Sequence, residues 1–156
     1  MPASQALGVR LYKPSPKDWP AAEWAVVVGG PDRIVAHGAV RPPRAYDEAE
    51  ALRHLHEALV TAVREHDVTI AFIWAIEGNA RVNVAMRPRL RAEGVACAAA
   101  ALAGARTSLV AWPEIESRAD AHRPKIEYAT ATEVGGIQIG SADPQAVLVA
   151  VAALRS

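Results

Sequence analysis

Cysteine is almost missing from this sequence of 156 residues, with Cys97 the single example. That excludes a disulfide framework and fits a reducing compartment, so a cytoplasmic protein is expected. The thiol sits in the alanine-rich run GVACAAAALAGA, where a small apolar side chain packs well, and a buried structural role is expected for it. Net charge is missing as well: 17 basic residues balance 17 acidic ones. There is therefore no global positive field of the kind that draws proteins onto nucleic acid, and any such contact must rest on a local patch. The opening stretch MPASQALGVRLYKPSPKDWPAAEW lacks a long apolar core behind a basic start, so neither a signal peptide, a membrane anchor nor a membrane partner is expected. Aromatic residues are sparse at 5%. Phe72, Trp74 and Trp112 fall in apolar runs that read as core, which argues against a single-strand stacking platform. Walker loops, dinucleotide fingerprints, nucleophile elbows and paired-cysteine zinc motifs are absent.

What is present suits one α/β domain, long enough to bury a core unaided. Pro14, Pro16 and Pro20 break up the first segment, so residues 1–23 are expected to form an irregular arm, with at most a short extended piece around Val9 to Tyr12, and residues 24–156 the folded domain. WAVVV, the turn GGPD and RIVAHGAV read as a hairpin. Asp47 caps a helix whose apolar positions Leu52, Leu55, Leu59, Ala62 and Val63 recur at spacings of three and four. VTIAFIWAI reads as a central strand covered on both faces and ends abruptly in Glu77. A loop and a helix with Pro88 near its first turn follow, then a second buried strand in TSLVAW and a short helix from Pro113 to about His122. Residues 124–141 resist assignment. DPQAVLVAVAAL is a buried helix with Asp143 as cap and Pro144 in its first turn. Strands joined through helices imply parallel pairing, so the expectation is a mixed sheet that opens with an antiparallel hairpin and carries helices on both faces.

Three stretches carry a family resemblance. VVVGGPDRIVAHGAV, IAFIWAIEGNARVNVAMRPRLRAEGVACAAA and SADPQAVLVAVAAL resemble, in that order, the opening hairpin, the acid-tipped central strand with its following helix, and the final helix of the ribonuclease H-like superfamily, in particular its RuvC-type Holliday-junction resolvase branch. The resemblance implies carboxylates around divalent metal ions, usually magnesium, that activate water for phosphodiester cleavage. Carried over residue by residue, Glu77 and Asp143 match catalytic and metal-binding positions. The companion acid one turn beyond Asp143 falls near Ala146, and the opening strand's aspartate falls at about Gly29, beside Val28 and Gly30. Two acids hold two dications poorly, so the site reads as degenerate; whether the chain is an enzyme stays open, leaning against, and no cofactor is expected unless it is one, in which case Mg²⁺ or Mn²⁺.

Arginine gathers beyond Glu77: Arg81, Arg87, Arg89 and Arg91 stand without an intervening acid, and Arg41 and Arg44 in RPPR extend the set. Guanidinium forks at a helix start suit phosphate, so branched or double-stranded nucleic acid is the expected partner. The leading expectation is a non-catalytic binding or assembly subunit, with a homodimer or larger protein assembly implied by resolvase relatives. Two alternatives stay open. One is an active Mg²⁺- or Mn²⁺-dependent nuclease in which Glu77 and Asp143 converge with Asp32 or Glu127. The other is a protein-interaction scaffold with no nucleic-acid role. His54 and His56 point to different faces of their helix, so a shared metal is not expected there.

Overall fold

The computed structural model describes residues 3–75 and 83–156. Its main sheet has five strands: β1 (Gln5–Tyr12), β2 (Ala21–Val28), β3 (Arg33–Val40), β4 (Ile70–Trp74) and β5 (Arg106–Val110), arranged β3-β2-β1-β4-β5. β1 pairs antiparallel with β2 and parallel with β4, β2 pairs antiparallel with β3, and β4 pairs parallel with β5. The helices are α1 (Glu48–Glu65), α2 (Arg87–Leu102), α3 (Trp112–Ala119) and α4 (Pro144–Leu154). A two-residue hairpin, β6 (Glu133–Val134) with β7 (Ile137–Gln138), lies between α3 and α4. No described helix is long and apolar enough to cross a membrane.

The central strand is the main departure from the sequence reading. Residues 5–12 are not an irregular arm: they form β1, in the middle of the sheet. The prolines that argued against a strand all follow it. β1 ends at Tyr12, and Pro14, Pro16 and Pro20 occupy the connection to β2, where no ladder N–H is required. That connection folds back on the domain, with the Trp19 indole donating to the Tyr46 carbonyl at 2.9 Å.

Alternation along β1 sorts the two sides of the core. Leu7, Val9 and Leu11 join Leu55, Leu59 and Val63 of α1 and Ala92, Ala96, Ala99 and Ala100 of α2 in one buried cluster. Ala6 joins the other cluster, with Phe72 and Trp74 of β4, Ile115 of α3 and the whole run Ala146–Ala153 of α4. Small residues let α4 come very close to the sheet. At Gly8 an added Cβ would fall inside the α4 backbone at Ala146 and Ala150, so no other residue fits that position. α1 starts as expected at Asp47, whose carboxylate accepts from the Glu50 amide at 2.8 Å, while Glu50 accepts from the Asp47 amide at 2.9 Å.

Two further expectations change. β5 is an edge strand with Ser108 and Leu109 exposed, and only Val110 of its five residues is buried. Its apolar letters resemble a core strand because periodicity alone cannot tell an edge from a centre. Cys97 is half-buried on α2, at the border of its cluster rather than inside it.

Candidate functional site

The carboxyl ends of the two parallel strands β1 and β4 open toward the first turns of α2 and α4. Ligands bind at such an edge in open α/β sheets. Alternation that puts Leu7, Val9 and Leu11 on one face sends Arg10 to the other, toward α4. There Arg10 Nε donates to Asp143 Oδ2 at 2.9 Å and Nη2 donates to Oδ1 at 3.0 Å, a bidentate pair with side chains only 22% and 14% exposed. Asp143 also caps α4, accepting from the Ala146 amide at 2.9 Å. The Arg10 guanidinium lies 4.5 Å from the centre of the Tyr12 ring, a cation–π contact. Tyr12 in turn donates its hydroxyl to Glu23 at 3.1 Å. Burial first, then the Glu23 charge, holds the Tyr12 hydroxyl above its ordinary pKa.

A cavity of about 620 Å³ lies at this edge. Arg10, Leu11, Tyr12 and Lys13 come from β1 and its end, Trp74 and Ala75 from β4 and its end. Ala85, Met86 and Arg89 belong to the entry into α2, Lys125 and Ile126 to a short helical turn, and Gln145 to α4. Among the described residues lining it there are four cationic side chains and no acid. Arg89 is half-buried. Desolvation is the largest influence on it and pushes its pKa below the usual arginine value, Glu93 raises it, and Arg10 lowers it again. Glu93 Oε1 stands 3.8 Å from Arg89 Nε, beyond hydrogen-bond reach, and that Nε is buried with no hydrogen-bond partner among the described residues.

The residues singled out in the sequence fall in different places. Glu77 and Arg81 lie outside the described residues. Asp143 is at the edge, and its partner is a cation. Asp32 is in the β2–β3 turn, where Val28 pairs with Gln5 at the start of β1, and its carboxylate sits 3.5 Å from Arg155. It is therefore a strand's length from Arg10, and the alternative that recruits Asp32 fails on geometry. The Gly29 position fails for the same reason, because β2 runs antiparallel to β1 and ends at the opposite side of the sheet. Glu127 is exposed and does not line the cavity. Arg87, Arg89 and Arg91 do cluster at the start of α2, although Arg91 is paired with Glu48 at 2.8 Å. Arg44 pairs with Asp18, and Arg41 stands 3.6 Å from Glu23.

Arg10, Tyr12, Lys13 and Lys125 were not anticipated. A signal was present in LGVRLY, where Leu7, Val9 and Leu11 alternate and a lone arginine interrupts the opposite face. Among the described residues, no three histidine, cysteine, aspartate or glutamate side chains gather as a metal site would require.

No protein-family model matches the sequence, and no curated protein matches it. Among solved structures, the chain is similar to Thermus thermophilus RuvC at a TM-score of 0.71 and 14% identity, over 95% of this chain and 92% of that one. It is similar at a TM-score of 0.72 and 15% identity to T. thermophilus RuvC in complex with a Holliday junction substrate, over 96% and 91%. The fold is ribonuclease H-like, of the RuvC type. In this RuvC-type sheet the opening strand is β1, so an acid expected on the opening strand belongs among QALGVRLY, and none is there. The residue on the α4-facing side of β1 that reaches Asp143 is Arg10. A dication bound to Asp143 would stand beside the Arg10 guanidinium and be repelled by its charge. As arranged, these side chains do not fit a metal ion: both oxygens that would ligate it accept from an arginine that cannot be deprotonated.

Proposed function

We propose that this chain is a RuvC-type protein that binds branched or double-stranded nucleic acid, or serves the assembly of a complex that does, without cutting it. The observation that carries the reading is the bidentate Arg10–Asp143 pair on the central strand, which puts a fixed positive charge where the resemblance implies carboxylates and metal. The exposed start of α2, with Arg87 and Arg91, supports phosphate contact close to the same edge. The likeness to a resolvase structure that holds a Holliday junction supports a branched ligand. A cytoplasmic protein acting as a homodimer or within a larger assembly belongs to the same reading.

Fluorescence anisotropy with a four-way DNA junction and a matched duplex tests binding, alongside a cleavage assay in millimolar Mg²⁺ or Mn²⁺. The expected result is salt-dependent binding, weakened by Arg87→Glu combined with Arg91→Gln, and intact DNA at the end of the incubation. Turnover that Glu77→Gln abolishes would restore the nuclease alternative. Absence of binding at low salt would leave the protein-interaction scaffold.

A further inference from the structure

The cavity holds more than phosphate contact along a nucleic-acid backbone requires. Its volume of about 620 Å³ lies within the range of small-molecule sites, and its lining divides into two parts. Trp74, Met86 and Ile126 form an apolar portion, and Ile126 is 76% exposed, a large hydrophobic side chain left open to water beside a recess. Cations form the other portion, where the Nε of Arg89 is buried without a hydrogen-bond partner among the described residues. That nitrogen is closed off from the cavity, but Arg89 lines the cavity with its side chain 32% exposed, so its guanidinium is a donor group for an anion there. Lys13 reaches the same space from the end of β1 and is exposed, its one hydrogen bond shown being a long 3.5 Å contact to the Pro16 carbonyl.

From this division we propose that the cavity binds a nucleotide through its phosphate monoester, with Arg89 and Lys13 on the phosphate and the organic part against Trp74, Met86 and Ile126. A guanidinium fork with a mobile ammonium from another side suits the oxygens of a phosphate better than a single carboxylate. The monoester is carried either by a free nucleotide or by the 5′ end of a strand, and the two sources share the chemistry of the site. The site is separate from the outer arginines Arg87 and Arg91, neither of which lines the cavity.

Calorimetry on the full chain with adenosine monophosphate, adenosine, inorganic phosphate, and a short oligonucleotide with and without a 5′ phosphate tests the proposal. The expected result is one-to-one binding of the monophosphate, at least about tenfold weaker binding of adenosine, and a loss of about tenfold or more in Arg89→Gln. Lys13→Met, at an exposed position that leaves the fold intact, should weaken binding by about threefold, and it carries the test if Arg89→Gln fails to fold. Binding of the 5′-phosphorylated oligonucleotide alone, with the same sensitivity to both variants, would assign the site to strand ends. Retained monophosphate binding in the Arg87→Glu/Arg91→Gln protein is expected even if that protein no longer binds a junction, so the two readings fail separately. No heat from any phosphorylated probe at about 1 mM, or binding indifferent to both Arg89→Gln and Lys13→Met, would overturn the proposal.

Discussion

Gly8 and Arg10 stand on the same face of β1 and meet the same helix, yet their contacts are of opposite kinds. At Gly8 the backbone of α4 presses on the strand with no side chain between, among the buried apolar side chains of α4. Two residues further along, the contact is a charged pair that opens into a cavity, with Arg10 and Asp143 each partly in reach of water. The inner contact sets the fold through close packing, which tolerates almost no change. The outer contact adds orientation and charge, and it leaves room for a ligand.

The largest expected effect comes from breaking the inner half. Gly8→Val places a branched side chain inside the α4 backbone, and a loss of more than about 4 kcal/mol is expected, enough to leave the protein unfolded by circular dichroism at 25 °C. A native spectrum with an unchanged urea midpoint would show that the α4 backbone does not press against Gly8. Breaking the outer half should cost less. Arg10→Met strands the Asp143 carboxylate beside an apolar helix, and a loss of about 2 kcal/mol is expected in urea denaturation. Combining it with Asp143→Asn should recover part of that loss, because Asn still caps α4 and no unpaired charge remains. Additive losses in the two single variants would show that the pair is not coupled. A smaller effect separates the cap from the ion pair: in the Arg10→Met background, Asp143→Ala should be less stable than Asp143→Asn by about 1 kcal/mol.

The smallest effect is one of pH. The fold raises the Tyr12 pKa above its unfolded value near 10, so this contribution is fully present below about pH 10 and fades as pH rises through the folded value. Above pH 10 the wild type should lose stability more steeply than Tyr12→Phe. Parallel pH profiles for the two proteins would remove Tyr12 from the network at the end of β1.

Much of the fold can be read from local signals. The hairpin has its turn residues, α1 has Asp47 and Glu50 at capping-box spacing, and α4 has Asp143 before Pro144. What could not be read is the pairing partner of β1, because Gln5–Tyr12 looks alike whether it lies at the centre of a sheet or in an arm, and the prolines just beyond it weighed toward an arm. That choice moved the expected acid to Gly29, at the wrong end of an antiparallel strand. The Arg10–Asp143 pair spans 133 residues, and no periodicity connects positions that far apart. The cavity likewise draws on five segments of chain that only the sheet order brings together.

The Arg10 guanidinium stands against both Asp143 oxygens, where a metal ion bound to that carboxylate would need to be. Calorimetric titration with Mn²⁺ of the wild type and of Arg10→Asp addresses this arrangement most directly. No stoichiometric uptake by the wild type is expected at millimolar Mn²⁺, and a new, saturable site is expected in Arg10→Asp. Tight one- or two-equivalent Mn²⁺ binding by the wild type, lost when Asp143 is changed to Asn, would contradict it.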